Sequence, residues 1–209
     1  MARRAPVQQR SIESMNRMLD AGEQLFYEGG SPALTLEAVI ERAETSTGSF
    51  YARFGDMRGF LDAMHERVLG MLAAQFQAVF AKAAREEDLE ASLRTLLTAG
   101  FEVVHRHRAQ TYFFAVGNSQ DPQWREMGAQ FSLRMNDAMT QIMKGYLPKS
   151  SSAGEKRRID MAVRMIIAAT FQQIMLEQDE ISRINMSQKA VAAELATMIS
   201  GYLLATPAK

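Results

Sequence analysis

Hydrophobic residues recur at the three- and four-residue spacing of α-helices along almost the whole of this chain. The alternating pattern of β-strands does not occur, and proline stands only where helices would begin or end. The pattern therefore predicts an all-α protein with about nine helices. Their expected ranges are about 10–27, 35–43, 46–54, 56–84, 88–107, 109–117, 122–146, 155–180 and 187–205.

The two short helices predicted near residues 40 and 50 are separated by a tight turn, which is the arrangement of a helix-turn-helix. In that motif the second helix enters the major groove of DNA. Phe50 and Phe54 lie four residues apart and can anchor this helix, which leaves Thr47, Gly48 and Tyr51 on the opposite surface. A glycine inside so short a helix costs roughly 0.5 to 1 kcal/mol relative to alanine. Close approach to DNA would explain its presence.

The residues of this region resemble those of the tetracycline-repressor (TetR) family. The matching residues are Leu25, Phe26, Gly30, Thr35, Val39, Ile40, Ala43, the run from Ser46 to Phe54, and Leu61. The resemblance implies a homodimeric transcriptional regulator with a first domain at residues 1–55 that binds DNA and a larger helical domain at residues 56–209 that binds a small molecule. The sequence differs from the usual family pattern at Glu44, Arg53 and Met57.

On the helix-turn-helix geometry, three residues are candidates for contacts with bases and four for contacts with phosphates, and the glycine allows close approach. The base candidates are Thr47, Ser49 and Tyr51, the phosphate candidates are Thr35, Ser46, Arg53 and Arg58, and the glycine is Gly48. Residues 1–17 carry four arginines and one acidic residue, so this segment is either an arm that contacts DNA or a solvated tail.

The middle of the chain is rich in aromatic residues and methionine, which suit a deformable apolar pocket as well as an ordinary core. The candidate ligand-binding residues are Met71, Phe76, Phe101, His105, Tyr112, Phe114, Trp124 and Phe131. His105 is expected on the inward face of its helix, either hydrogen-bonded in the core or in contact with ligand, whereas His107 is expected to point elsewhere. The histidines do not have the spacing of a metal site.

Composition excludes several classes of function. The chain has 209 residues, 24 Lys and Arg against 24 Asp and Glu, and no cysteine, so disulfides, thiolate nucleophiles and cysteine-bound metals are excluded. We find no nucleotide-binding glycine loop or catalytic constellation, and we expect neither a cofactor nor an enzymatic activity. We also find no secretory signal and no apolar run long enough to cross a membrane, and we expect a cytoplasmic protein.

The helix predicted at about 155–180 is apolar on nearly all sides, which indicates contact with another subunit. We therefore expect a homodimer formed by the last two helices. The sequence leads to a ligand-responsive DNA-binding regulator, a repressor released from a palindromic operator by a small apolar or aromatic effector. The alternative is a helical small-molecule binding protein or enzyme with a degenerate DNA-binding domain.

Overall fold

The computed structural model of the chain describes residues 4–118, 120–148, 152–176, 180 and 182–205, with side chains from residue 11 onwards. Within these ranges there are nine complete α-helices and no strand, which confirms the all-α prediction. The helices are α1 (Arg4–Gly29), α2 (Leu36–Arg42), α3 (Thr47–Phe54), α4 (Met57–Ala83), α5 (Leu89–Arg106), α6 (Arg108–Thr111), α7 (Pro122–Tyr146), α8 (Ala153–Met175) and α9 (Gln188–Leu204). A short 3₁₀ helix (Ser31–Ala33) precedes α2, and a π-helical segment (Tyr112–Gly117) follows α6.

Most of these helices begin at a polar residue whose side chain caps the first turn. In each case the side-chain oxygen accepts a hydrogen bond from the backbone N–H three residues later, which satisfies a donor that the helix leaves unpaired. The capping residues are Thr35, Ser46, Asp56, Asp88, Asp121, Ser152 and Ser187. A cap of this kind contributes about 1 kcal/mol, so these short sequence signals fix where the helices start.

The side chains of the described residues form two hydrophobic cores. One joins α1, α2 and α3 to the first half of α4 through residues such as Met18, Phe50 and Phe60, and it also takes in Phe114 and Trp124 from later in the chain. The other is built by α5, α7, α8 and α9. Because α4 contributes to the first core and packs against α5 and α7, it is the element that connects the helix-turn-helix to the rest of the molecule.

A polar network also links α1 to the later helices. The hydroxyl of Tyr27 lies 3.1 Å from Nδ1 of His107 and donates to Oε1 of Gln110 at 3.1 Å. Nε2 of His107 lies 3.1 Å from the Gln75 amide nitrogen on α4. His107 is buried, so the expectation that it points away from the interior was wrong. Burial is also the main reason that its pKa is lowered from the usual value.

Three boundaries differ from the sequence predictions. Helix α1 begins at Arg4 rather than near residue 10, so most of the basic N-terminal segment is helical. The segment predicted at 109–117 divides into α6 and the π-helical segment, and His107 separates α6 from α5. Helix α8 ends at Met175, since Leu176 is already extended, and residues 177–179 of the predicted helix lie outside the described residues.

Candidate functional site

Helix α3 exposes the residues predicted to face DNA. Thr47, Gly48 and Tyr51 are all exposed, and 49% of the Tyr51 surface is accessible although its ring edge packs against Phe50. Phe50 on the opposite side is fully buried. A two-turn helix anchored on one side and polar on the other is the arrangement that a recognition helix needs.

The glycine in this helix has no packing reason inside the protein. A Cβ atom built on Gly48 would meet no atom within 4 Å, and its φ lies outside the left-handed region. Neither the backbone conformation nor a neighbour therefore explains why the helix carries glycine at a cost of roughly 0.5 to 1 kcal/mol. The open space on this face of the helix lets another surface approach the backbone closely.

Two of the predicted phosphate candidates, Thr35 and Ser46, are the caps of α2 and α3. Both are exposed, and the Ser46 hydroxyl also donates to the hydroxyl of Ser49 at 3.1 Å. Arg53 donates from Nε to the backbone oxygen of Ser11 at 3.3 Å and from its guanidinium to the backbone oxygen of Ser49 at 2.9 Å. Both acceptors are neutral backbone oxygens, so these two hydrogen bonds do not pair the charge of Arg53 with a carboxylate.

Arg58 is placed differently from what a phosphate contact requires. Its guanidinium pairs with Asp62 at 2.8 Å and with Asp121, and it lies 4.8 Å from the centre of the Trp124 ring. The hydrogen bond from Arg58 is the main reason that the pKa of Asp121 falls to about 2. Two carboxylates therefore already pair with Arg58, which makes it a weaker candidate for a phosphate contact.

The same ion pairs form a junction between α4 and α7. Asp121 caps α7 and pairs with Arg58 in the first turn of α4, while Asp62 accepts a hydrogen bond from the Trp124 indole at 2.5 Å. One turn further along α4, the His65 ring stacks on Phe114 with ring centres 4.5 Å apart. The start of α4, next to α3, is thus fixed to the helices that carry the cavity described below.

Helices α4, α5, α7 and α8 enclose an apolar cavity of about 170 Å³. Its walls are mainly aromatic and aliphatic side chains, including Phe76, Phe101 and Ile166. An apolar cavity of about 150 Å³ in another protein binds benzene. The cavity is therefore large enough for a small aromatic molecule.

Four of the eight predicted ligand-binding residues line this cavity, namely Phe76, Phe101, Phe114 and Phe131. The other four do not. Trp124 is buried beside it, Met71 packs in the first core, Tyr112 is 45% exposed, and His105 is exposed.

The placement of His105 has a simple geometric cause. The buried stripe of α5 runs through Leu93, Leu97, Phe101 and Val104. A helix turns about 100° per residue, so His105 lies beyond the edge of that stripe although it is four residues from Phe101. The prediction that His105 faces inward was wrong for this reason.

The sequence prediction missed the polar residues on the cavity wall, among them His65 and Thr111. His65 is 2% exposed, and its Nδ1 atom has no hydrogen-bond partner among the described residues; the same holds for the buried hydroxyl oxygen of Thr111. Burial lowers the pKa of His65 to about 4, so the ring is neutral at pH 7. In sequence, His65 stands four residues after the partly buried Leu61 and three before the buried Val68, and that spacing was the available signal.

Among the residues that the structure describes, no group of three or more His, Asp or Glu side chains could hold a metal ion. Over the same ranges, no helix is long and apolar enough to span a membrane.

Comparison with known proteins agrees with this architecture. Residues 18–64 match the family model of bacterial regulatory proteins, tetR family. The HTH-type transcriptional regulator BetI from Burkholderia ambifaria is 36% identical over 87 residues, which is 41% of this chain and 43% of BetI. The match thus spans less than half the length of this curated relative.

Solved structures extend the similarity to nearly the whole fold. A TetR-family regulator from Mesorhizobium loti superposes with a TM-score of 0.72 at 12% identity, over 93% of this chain and 96% of that one. A transcriptional regulator of the TerR/AcrR family from Aquifex aeolicus gives a TM-score of 0.64 at 17% identity, over 89% and 99% of the two chains.

The N-terminal helix-turn-helix and the whole-chain fold are thus similar to those of bacterial regulators of this kind. The family match covers residues 18–64 only, and it agrees with the resemblance seen in the sequence.

Proposed function

We propose that this protein is a transcriptional repressor that binds operator DNA through α3 and leaves it when a small molecule occupies the cavity. The observation that carries the DNA-binding part is the exposed Thr47, Gly48 and Tyr51 surface on a helix that is buried on its other side at Phe50. The open space at Gly48 is compatible with close approach of DNA to this face of the helix.

In this proposal Thr47, Ser49 and Tyr51 contact base edges, and Gly48 lets the backbone approach the groove. Thr35, Ser46 and Arg53 contact phosphates. Arg58, which two carboxylates hold, is a weaker candidate and is assigned a role in joining α4 to α7 instead.

The cavity supports control by a ligand because α4 belongs to both parts of the molecule. Its first turn follows α3 directly and carries Arg58, while His65, Leu72 and Phe76 line the cavity further along. A packed helix moves as a unit, so a ligand that displaces the middle of α4 also displaces its start. This movement would change the spacing of the recognition helices in a dimer.

The dimer is proposed to form through α8 and α9. Large apolar side chains are exposed on both helices, among them Phe171, Met175, Met198 and Tyr202. A two-fold dimer would bury them and would present two copies of α3 to a palindromic site.

The dimer can be tested with two charge insertions. Met198→Glu places a charge in the proposed interface, whereas Leu133→Glu places one at a 63% exposed leucine on α7. Sedimentation velocity at micromolar concentration should give a dimer for the native protein and for Leu133→Glu, and a monomer for Met198→Glu. A native monomer would contradict the proposal.

Binding to DNA can be tested on the segment upstream of the protein's own gene. Tyr51→Ala should weaken binding in a gel shift by about tenfold, because a base contact is worth about 1 to 3 kcal/mol. Tyr112→Ala removes a tyrosine of similar exposure from the π-helical segment and should leave binding unchanged. If the native protein binds neither this segment nor a pool of genomic fragments, the degenerate-domain alternative holds instead.

A further inference from the structure

Two residues that line the cavity each carry a buried hydrogen-bonding atom without a partner among the described residues. These atoms are Nδ1 of His65 on α4 and the hydroxyl oxygen of Thr111 at the end of α6. A buried polar atom without a partner costs about 1 to 3 kcal/mol, so native proteins contain few of them. Since both residues line one cavity, a polar group of a molecule bound there is a partner that the two atoms can share.

The geometry around His65 fixes its ring before any ligand arrives. The ring stacks on Phe114 with an interplanar angle of 3°. It also makes an edge-to-face contact with Trp124, with ring centres 5.7 Å apart. Thr111 directly precedes the π-helical segment Tyr112–Gly117, which contributes Phe114 and Ala115 to the wall. Single π-helical turns occur often at functional sites, since they redirect side chains towards a ligand.

The charge of the wall limits what can bind. Of the described residues that line the cavity, none is Asp, Glu, Lys or Arg, and His65 is neutral at pH 7. The remaining polar lining residues are Ser132, Asn136 and Thr170, of which Ser132 is exposed and Thr170 already donates to the backbone oxygen of Ile166 at 2.8 Å. A charged ligand would therefore bury its charge without a counter-ion, which is costly.

We propose that the cavity binds an uncharged, mainly apolar molecule that carries a hydroxyl group, and that His65 and Thr111 select that hydroxyl by hydrogen bonds. A hydroxyl suits both partners because it donates and accepts, whichever nitrogen of the neutral imidazole carries the proton. This inference rests on the cavity being the effector site of the proposed function, and it names the chemistry of the effector.

Three probes of matched shape separate the possibilities: para-propylphenol, propylbenzene and para-propylbenzoate. All three share the apolar body, but only the first carries a neutral hydroxyl, since a phenol has a pKa near 10. Calorimetry on the DNA-free protein at pH 7 should give a dissociation constant for para-propylphenol at least about tenfold lower than for the other two. The benzoate is a demanding control because a positive charge lies next to the cavity wall. Arg108 donates to the backbone oxygen of Ile174, which is a lining residue.

Two substitutions test the partners. Thr111→Val removes the hydroxyl at almost constant volume, and His65→Phe keeps an aromatic ring on Phe114 but removes the nitrogen. Each should reduce the preference for para-propylphenol over propylbenzene by about threefold to tenfold while propylbenzene affinity stays similar. The pair keeps the test decisive if one variant fails to fold.

Ser92→Ala is the matched control. The Ser92 hydroxyl is also buried and without a partner, but Ser92 does not line the cavity. This variant should keep the full preference for the phenol.

Equal or tighter binding of propylbenzene or para-propylbenzoate would overturn the inference, as would no binding of para-propylphenol at its solubility limit. An unchanged preference in both cavity variants would overturn the roles of His65 and Thr111. Because gel shifts on DNA are measured separately, a failure here leaves DNA binding intact, whereas loss of DNA binding with an intact phenol preference would contradict the repressor proposal alone.

Discussion

Glu44 is the one described residue other than glycine that has a positive φ, at 48°. It lies in the turn between α2 and α3, and a left-handed conformation costs a residue with a Cβ roughly 1 to 2 kcal/mol. Its side chain is also exposed on the motif proposed to meet DNA. The residue thus works against both the conformation of the turn and the attraction of phosphates.

Replacing Glu44 separates these two effects. Glu44→Gly should raise the free energy of unfolding by about 0.5 to 1 kcal/mol, because relief of the backbone exceeds the added entropy of the unfolded chain. Glu44→Gln keeps the backbone cost and should leave stability unchanged. Both variants should bind DNA more tightly at low salt, since both lose the negative charge. Urea denaturation and salt-dependent gel shifts measure the two quantities.

His65 should make the stability of the protein depend on pH. Its pKa is about 4 in the folded protein and about 6.5 in the unfolded chain, so the unfolded chain binds the extra proton between these values. The contribution of His65 to the free energy of unfolding is therefore fully present above pH 6.5, and it falls by about 3 kcal/mol as the pH drops to 4. Asp62 and Asp121, the charged groups near the ring, oppose part of the burial effect.

The variant His65→Phe isolates this contribution. Urea denaturation at pH 7 and at pH 4 should show a loss in the native protein that exceeds the loss in the variant by about 3 kcal/mol. His107, whose pKa is also lowered, titrates in both proteins and cancels in the comparison. Equal losses would mean that the pKa of His65 is the same in the folded and the unfolded chain.

At the scale of single elements, α1 and α4 approach each other at Gly22. A Cβ on Gly22 would lie 2.5 Å from Cζ of Phe60 and 2.9 Å from Sδ of Met64, and both of these side chains are fully buried. Gly22→Ala should therefore lower the free energy of unfolding by about 1 to 3 kcal/mol, the usual cost of overpacking.

Gly70→Ala is the corresponding control within α4. A Cβ there meets nothing within 4 Å, so alanine should stabilise the helix by up to about 1 kcal/mol. Thermal denaturation should thus move in opposite directions for the two glycines. A neutral result at Gly22 would show that α1 and α4 can separate without cost.

Helices were predictable from the sequence where a cap and a periodic stripe coincide. Asp121 followed by Pro122 placed the start of α7, and its predicted range of 122–146 agrees with the structure. The break between α5 and α6 falls at His107, within one residue of the predicted boundary, and tertiary hydrogen bonds to Tyr27 and Gln75 hold it. The change from α6 to the π-helical segment at Tyr112 was not predictable, because neither glycine nor proline marks it.

The candidate site was predictable to a different degree in its two parts. Exposure of Thr47, Gly48 and Tyr51 followed from the phase of a two-turn helix relative to Phe50. The cavity depends on how four helices meet, which a one-dimensional pattern does not contain. Four of the eight lining residues expected from aromatic and methionine content do line the cavity, but this content gave no indication of His65 or Thr111.

For the whole molecule, thermodynamic linkage provides a test of the proposed switch. If para-propylphenol weakens binding to the upstream DNA, then that DNA must weaken binding of the phenol by the same factor, typically about 5- to 150-fold. Fluorescence anisotropy of labelled DNA gives the first factor, and calorimetry with and without saturating DNA gives the second. Equal phenol affinity in both states would show that the cavity and α3 act independently.

The first core limits how hybrid proteins can be built by exchanging the N-terminal helix-turn-helix domain. Phe50 of α3 is covered by Phe60 and by the rest of α4, and Tyr27 of α1 is held by His107. A domain that ends at residue 55 would expose Phe50 and leave the Tyr27 hydroxyl without its partner. We expect an exchangeable domain to extend through the first half of α4. A functional hybrid should also keep the partners of Tyr27.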